Sequence, residues 1–277
     1  MTIKLRWDKL DLEIKKLYQE KVDNMKWSFS RINSFEHGCQ FCWFQNYIIK
    51  ERGGGNAFSD YGSLMHEILE KYFKGELMAW ELEDVFDKGF IDNVGSFPPN
   101  KFVDLRVSYY NQGIKYLQEF DGLPDYEMLE IEPAISVDID GYEFIGFIDL
   151  LARNKNNGKL VVIDHKSKAE FKTKEELREY GHQLYLYAIW VHKKYGEYPS
   201  LLKFNMFRKQ TEKTIIFKEK DLEASRQWML DSIQRIRNCE IFSVTSDDFF
   251  GTQLCNNRDH ILHSLGASYS LEQLWEG

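Results

Sequence analysis

The sequence predicts an α/β protein with a mixed central sheet and a helical N-terminal region. Apolar residues follow helical spacing up to residue 125, and three strand-like segments come next, ending at residue 166. Helical and strand-like segments then alternate, and no repeat or long linker divides the chain. The parts expected of a single domain at 1–277 are a mainly helical part at 1–125, an αβ core at 126–240 and a tail at 241–277.

The N-terminal part contains five segments with helical spacing. The second of them is dense in aromatic residues, and we expect one or two short helices there with Ser30 as the N-cap. The third begins near Ser59 and places His66 and Glu70 one turn apart. The predicted helical segments are residues 3–25, 27–48, 58–74, 78–93 and 100–120.

The αβ core begins with three strand-like segments, MLEIEPAISVDI, YEFIGFIDLLA and KLVVIDHK. Asp140-Gly141 predicts the first turn, and the second turn is either the four residues 155–158 or the two residues Asn157-Gly158. We therefore expect a three-stranded meander. The segments predicted after it are a helix at 173–195, the strands LLKFNMFRK and TIIFK, and a helix at 219–239.

Composition and charge argue against a strongly basic nucleic-acid binder, an exported protein and a membrane protein. A formal charge of -8 is not typical of strongly basic nucleic-acid binders, although a local basic groove or bound metal ions are compatible with it. Alternating charges at the N-terminus do not resemble a signal peptide, and no apolar run is long enough to span a membrane. We therefore expect a cytoplasmic protein that does not bind membranes.

Charged residues directly after a buried strand, and an aspartate in the strand before it, stand out. The apolar run LVVI leads directly into Asp164, His165 and Lys166. The four-residue turn would place Asp149 opposite Asp164, and the two-residue turn would place it opposite Lys166. In either register Asp149, Asp164 and Lys166 share one face of the sheet.

Two carboxylates held together among apolar residues repel each other and lose hydration, and a divalent cation would remove that penalty. A structural salt bridge is the alternative. The acid-x-Lys tripeptide by itself is weak support, because it also occurs at Glu13-Ile-Lys15 and Glu170-Phe-Lys172. The buried strand and the second aspartate favour a metal site at Asp164.

These segments resemble the RecB-like PD-(D/E)XK nucleases. FIGFIDLL and LVVIDHKS are similar to the G-x-x-D and D-x-K motifs of that family. Gly62 to His66, with Glu70, resembles its G-x-x-x-H-x-x-x-E helix, and Gln183 to Tyr187 resembles its Q-x-x-x-Y helix. Residues 28–47 resemble its N-terminal pattern of serine, arginine, phenylalanine, cysteine and tyrosine.

The resemblance implies a restriction-endonuclease-like αβββαβ core and a metal-dependent DNA nuclease, of the phage or CRISPR exonuclease type. It implies roles in DNA recombination, repair or phage and CRISPR DNA processing. It also implies that Lys166 assists the attacking water and that Gln183 and Tyr187 position DNA. The implied ligands of one or two Mg²⁺ or Mn²⁺ ions are His66, Asp149, Asp164 and the carbonyl of His165, with Glu130 and Glu132 as reserve candidates and Glu70 near the imidazole.

The four cysteines match the family only in part. Many relatives hold an iron-sulfur cluster, and Cys39 and Cys255 stand where two of its ligands would be. Positions 252 and 261, which should complete the set, are Thr and Ile, while Cys42 and Cys239 have a different spacing. Buried thiols are favoured over a cluster.

DNA is the expected partner, and a homo-oligomer or a recombination partner protein is also considered. Trp43 and Phe44 could stack on unpaired bases, but packing in the core is favoured. Two other functions stay open: a catalytically silent DNA-binding or assembly protein, and a hydrolase of small phosphoesters. The basic candidates for gripping DNA are Lys168, Lys172, Lys174, Arg178, Lys203, Arg208 and Lys209.

Overall fold

The computed structural model describes residues 2–50, 54–244 and 268–275, with side chains from residue 12 onward. Its contacts group the chain into two compact units. The first unit comprises Met1–Gly54, Asp138–Phe144 and Arg226–Gly277, and the second comprises Gly55–Val137 and Ile145–Ser225. A single nuclease domain over the whole chain stays a prediction.

The second unit is built around a five-stranded sheet with the order β1-β4-β5-β6-β7. Strands β5 and β6 are parallel, and the other neighbouring pairs are antiparallel. The sheet is therefore mixed, as the sequence predicts. Its strands are β1 (Tyr126–Ile131), β4 (Leu150–Asn154), β5 (Leu160–Lys166), β6 (Leu201–Met206) and β7 (Thr211–Ile216).

The first two predicted strands are each divided in the structure. MLEIEPAISVDI forms β1 and β2 (Ala134–Ile139), and YEFIGFIDLLA forms β3 (Tyr142–Phe147) and β4. Strands β2 and β3 pair in a separate two-stranded sheet. Their turn has positive φ at Asp140 and at Gly141, as in the hairpin turn that this pair of residues predicts. The meander exists, but its long strands bend where they pass from one sheet to the other.

In the second unit, three helices precede the sheet strands in the chain and a fourth lies between two of them. Helix α4 begins two residues before Ser59, because Asn56 caps it through the backbone N–H groups of Phe58 and Ser59. Helix α7 joins the parallel strands β5 and β6, and Thr173 caps it. The helices with most or all of their residues in the second unit are α4 (Ala57–Phe73), α5 (Leu82–Asn93), α6 (Leu105–Glu119) and α7 (Lys174–Tyr195), with a 3-10 turn at Ala79–Glu81.

The first unit is mainly helical and has an aromatic core. Ser28, and not the expected Ser30, caps α2, because its Oγ accepts from the Arg31 N–H at 3.3 Å. Trp43 and Phe44 are fully buried, so core packing and not base stacking is their role in the structure. The elements are α1 (Thr2–Asp23), α2 (Phe29–His37), α3 (Gln40–Phe44), a π-helical turn (Gln45–Ile49), β8 (Ile241–Ser243), β9 (Ser268–Ser270) and α9 (Leu271–Trp275).

Helix α8 (Glu219–Arg237) runs through the division between the units, with its first residues in the second unit. Among the residues that the structure describes, no helix combines the length and the apolar character needed to cross a membrane.

Candidate active site

The register of β4 and β5 brings the two predicted aspartates together. Leu150 pairs with Ile163, and the Asn154 N–H donates to the Lys159 carbonyl, which leaves four residues in the turn. The structure therefore has the longer of the two turns considered. Asp149 precedes β4 by one residue and lies opposite Asp164 on the same face.

A bend in the neighbouring strand adds a third carboxylate. The Glu132 N–H donates to the Asp149 carbonyl at 3.0 Å, and the Ile148 N–H donates to the Pro133 carbonyl at 3.3 Å. Glu132 has a φ of 50°, a left-handed conformation that is uncommon for a residue with a side chain. The bend therefore places Glu132 directly beside Asp149.

Helix α4 supplies the imidazole of this site. His66 Nδ1 lies 3.5 Å from Asp149 Oδ1. His66, Glu132 and Asp149 each offer one ligand atom, and these atoms lie within 4.8 Å of one another. We call these three residues the His-Glu-Asp group. Asp164, which was also expected to bind metal, is not part of this group.

Burial raises the pKa of two carboxyl groups of the site, whereas His66 lowers the pKa of a third. Burial raises the pKa of Glu132 to about 7, and the charge of Asp149 adds to the rise. Burial also raises the pKa of Asp164 to about 6, against the opposing effect of Lys166. Burial disfavours the charged form of Asp149, but His66 outweighs burial and lowers its pKa to about 2. At pH 7 Asp149 is therefore fully ionised, Asp164 is mostly ionised, and Glu132 is ionised about half of the time.

A chain of polar contacts holds Lys166. Its Nζ lies 2.7 Å from Asp164 Oδ2 and donates to Gln183 Oε1 at 2.8 Å. The Nε2 of Gln183 donates in turn to the Tyr187 hydroxyl at 3.0 Å. A Cβ on Gly146 would lie only 2.8 Å from the Tyr187 ring, so the glycine allows β3 to approach α7 here. Gln183 thus contacts Lys166 directly, and Tyr187 contacts Gln183.

His165 is buried on the opposite side of β5 and has polar partners that the sequence did not indicate. Its backbone N–H donates to Asp149 Oδ2 at 2.5 Å. The Asn205 amide donates to the Tyr116 hydroxyl at 2.6 Å and to His165 Nδ1 at 2.9 Å, which leaves the ring proton on Nε2. Burial lowers the pKa of His165 to about 4, so its ring is neutral at pH 7. Its carbonyl as a metal ligand stays a prediction.

Asn205 and Tyr116 were both missed in the sequence. A signal for Asn205 exists, because it is the polar residue in the otherwise apolar run FNMF of a buried strand. Nothing in the spacing of α6 distinguishes Tyr116 from its aromatic neighbours.

An open groove of about 530 Å³ leads to the His-Glu-Asp group. Small residues of α4 form one wall and Phe147, whose side chain is 60% exposed, lies at the rim. A large apolar side chain held in solvent beside buried charges is well placed to contact a ligand. The residues that line this groove are Ser59, Gly62, Ser63, His66, Glu67, Glu70, Glu132, Phe147, Asp149 and Ser167.

The side chains present fit a divalent cation. An imidazole nitrogen and two carboxylates converge, and these donor types bind Mn²⁺ and, through oxygen, Mg²⁺. Burial is the main cause of the raised pKa values of Glu132 and Asp164, and the charge of Asp149 adds to both; a bound cation would oppose both effects.

Two reserve acids differ in their partners. Glu70 pairs with Lys74, and the carboxylate that lies 3.5 Å from His66 Nδ1 is that of Asp149; a role of Glu70 beside the imidazole stays a prediction. Glu130 binds Lys194 and the Tyr195 hydroxyl, and it is not in the His-Glu-Asp group. Of the two reserve candidates on the first predicted strand, Glu132 is therefore the one that reaches the site.

Several basic candidates for gripping DNA have partners within the protein. Lys168 pairs with Glu176 at 2.6 Å. Lys203 is buried and lies 2.7 Å from Glu212 Oε2. Arg208 stacks on the Tyr109 ring with 3.8 Å between its Cζ and the ring centroid. Contacts of these three cations with DNA would compete with the protein's own contacts.

The cysteines that the structure describes are buried or half-buried thiols. The Cys42 N–H lies 3.4 Å from Cys39 Sγ, and both residues pack with Phe41 in a small apolar cluster. Cys239 is half-buried. Cys255 lies outside the described residues, so the partial match to a cluster stays untested.

A family model matches most of the chain. The family model described as the PD-(D/E)XK nuclease superfamily matches residues 26–257. A search of curated proteins finds none that matches the sequence. A crystal structure of a candidate exonuclease from Eubacterium rectale is similar, with 14% identity, coverage of 79% of this chain and 84% of that chain, and a TM-score of 0.49.

Proposed function

The chain belongs to the PD-(D/E)XK nuclease superfamily, and from this premise we propose that it is a metal-dependent deoxyribonuclease of the RecB-like branch, acting as an exonuclease. The observation that carries the proposal is that the register of β4 and β5 places two groups of side chains next to each other, at Asp149 and Asp164. One is the His-Glu-Asp group, and the other is the chain from Asp164 through Lys166 to Gln183. Together they offer metal ligands and a fixed cation at one place.

In this proposal His66, Glu132, Asp149 and Asp164 hold Mg²⁺ or Mn²⁺ at the floor of the groove. A divalent cation, when bound, supplies the Lewis acidity that hydrolysis of a phosphodiester requires. His66 loses its proton on binding, because a metal ligand needs a neutral imidazole. The carbonyl of His165 is proposed as a further ligand.

Lys166 has the role of a fixed positive charge beside the scissile phosphate. Asp164 and Gln183 hold its ammonium from two sides, and the ring of Phe204 lies 5.6 Å from it. A cation that is already oriented stabilises the charge that develops on a phosphate without reorganisation during the reaction. Tyr187 fixes Gln183 and through it the position of Lys166.

The proposed substrate is DNA, and the proposed settings are recombination, repair or phage and CRISPR DNA processing, in the cytoplasm. The groove beside the His-Glu-Asp group is open and can admit a polymer. A second copy of this chain or a recombination protein is the proposed partner that would guide the DNA strand into this open groove.

The test is cleavage of end-labelled single-stranded and double-stranded DNA with Mn²⁺ or Mg²⁺, with a chelator control. Asp164→Asn should lower cleavage by at least about 10³-fold, as expected for loss of a central catalytic carboxylate. Glu170→Gln is the matched control, because Glu170 belongs to the same acid-x-Lys pattern but is exposed. A ladder of products shortened from one end would support an exonuclease.

Intact DNA under every metal condition would overturn the proposal. Binding of that intact DNA would then favour the catalytically silent DNA-binding protein. Equal loss of activity in Asp164→Asn and Glu170→Gln would also contradict the assigned site.

A further inference from the structure

A second groove lies in the second unit, between α7, β7 and the start of α8. Its volume is about 370 Å³, within the range of small-ligand sites. We call it the α7–α8 groove. The residues that line it are Lys174, Leu177, Arg178, Gly181, His182, Tyr185, Ile215, Lys218, Asp221, Ala224 and Ser225.

This groove is separate from the candidate active site. Lys174 and Gln183 are nine residues apart on α7, which is about two and a half helical turns, so they lie on opposite faces. Gln183 contacts Lys166, whereas Lys174 lines the α7–α8 groove. A ligand in this groove would therefore contact the face of α7 that points away from the catalytic lysine.

Three cations of the groove differ from others in the second unit. Within the described residues, the side chains of Lys174, Arg178 and Lys218 form no ion pair or hydrogen bond. In contrast, Lys168, Lys203 and Arg153 each pair with a carboxylate. The carboxylate of Asp221 also lines the groove, but the three exposed cations outnumber it. In a protein with a formal charge of -8, this local excess of positive charge favours an anionic ligand.

The walls of the groove are held in place by hydrogen bonds. Ser225 Oγ donates to the Asp221 carbonyl at 2.8 Å, so it accepts from His182 Nδ1 at 2.9 Å. The Tyr185 hydroxyl lies 3.4 Å from Asp221 Oδ2, on the same turn of α8. Helices α7 and α8 are thus tied to each other beside the cations, and the groove has a defined shape.

Apolar surface accompanies this positive charge. Leu177, Gly181, Ile215 and Ala224 line the groove together with the ring of Tyr185. Inorganic anions need no apolar wall, whereas a nucleotide presents both a phosphate and a flat base. The volume also suits one nucleotide better than a bare ion.

We propose that the α7–α8 groove is a second binding site, which takes the phosphate and base of a nucleotide. Arg178 and Lys218 bind the phosphate, with Lys174 contributing charge, and the base lies on the apolar wall. The nucleotide comes either from a free deoxynucleoside monophosphate or from a DNA strand, and both present the same chemistry.

The test is calorimetric titration of the full chain with deoxyadenosine monophosphate, with inorganic phosphate and with an oligodeoxyadenylate of eight residues, all in chelator. The chelator removes metal ions. Phosphate binding through a metal at the candidate active site therefore does not contribute to the measurement. Arg178→Ala and Lys218→Ala should each weaken nucleotide binding by roughly tenfold, as expected when a charge-assisted hydrogen bond is lost.

A matched control is available two residues away from Lys218. Lys220→Ala pairs with Lys218→Ala, because Lys220 is exposed but does not line the groove. Ala224→Trp fills the groove without changing its charge, so it should weaken binding of the monophosphate more than binding of inorganic phosphate. Thermal melting of each variant checks that it is folded.

Binding of the monophosphate that the groove variants weaken and the control leaves intact supports a free nucleotide as the ligand. Groove-dependent binding of the oligonucleotide alone supports a DNA strand. No saturable binding of either, or equal losses in control and groove variants, overturns the proposal. This readout needs no cleavage, so it is independent of the proposed nuclease activity.

Discussion

The polar side chains on one face of α7 contact other side chains of the protein, whereas the cations on the opposite face are exposed to solvent. On one face Gln183 and Tyr187 are hydrogen-bonded to each other, and Gln183 fixes the ammonium of Lys166. On the other face Lys174 and Arg178 extend into solvent beside a partly apolar groove. Lys166, whose ammonium is already held by Asp164 and Gln183, belongs to a site that the protein itself prepares. Lys174 and Arg178 form no ion pair with the residues that the structure describes, so a ligand would complete their site.

This difference sets what a substitution should do on each face. Changing a residue of the prepared site should lower the rate of the reaction, because the protein itself holds the reacting geometry. Changing a cation of the α7–α8 groove should alter binding of an anion and leave the fold and the metal site unchanged. Three substitutions at the candidate active site sharpen the comparison.

The largest effect is expected for Lys166→Met, which keeps the length of the side chain and removes its charge. Cleavage should fall by roughly 10²- to 10³-fold, since a preorganised cation near the developing charge is lost. Single-turnover cleavage in Mn²⁺ measures it, and DNA binding in Ca²⁺ should persist. Lys168→Met is the control. Cleavage at the normal rate by Lys166→Met would contradict the role of Lys166 as a fixed cation in the reaction.

An intermediate effect is expected for Glu132→Gln. It replaces a charged ligand of the His-Glu-Asp group with an amide of the same shape, so the Mn²⁺ concentration for half-maximal cleavage should rise about 10- to 100-fold. Glu130→Gln is a close control, because Glu130 binds Lys194 and Tyr195 instead. An unchanged Mn²⁺ requirement in Glu132→Gln would remove Glu132 from the site.

The smallest effect is expected for Phe147→Ala at the rim of the groove. If its exposed ring stacks on an unpaired base, cleavage of single-stranded DNA should fall by roughly tenfold. Hydrolysis of bis(4-nitrophenyl) phosphate should not change, since this ester needs the metal site alone. Phe102→Ala removes a side chain that is 95% exposed elsewhere and should affect neither reaction. Equal losses on both substrates would assign Phe147 a structural role.

The sequence predicted the elements of the sheet and the order of its helices because periodicity reports which faces are buried. It also placed Asp149, Asp164 and Lys166 on one face, since side chains alternate along a strand in any register. It could not choose between the two turns at residues 155–158. That choice depends on hydrogen bonds of Asn154 and Lys159, which residue types alone do not fix.

The position of Glu132 was harder to predict. Its neighbour Glu130 differs by two residues and would share a face with it in a regular strand. The strand bends at Pro133, however, and the register also shifts between Met128 and Glu130. Because of these irregularities, Glu132 lies beside Asp149 and Glu130 contacts Lys194. In the sequence, only the pair Glu132-Pro133 indicates such a bend.

The left-handed backbone of Glu132 sets stability and activity against each other at one position. A residue with a side chain in this conformation costs on the order of 1 kcal/mol or more, and glycine would relieve the strain. Random substitution and selection for stability alone would therefore drift towards glycine at this position. If homologous proteins keep a carboxylate at this position, selection must act on its function and not on stability.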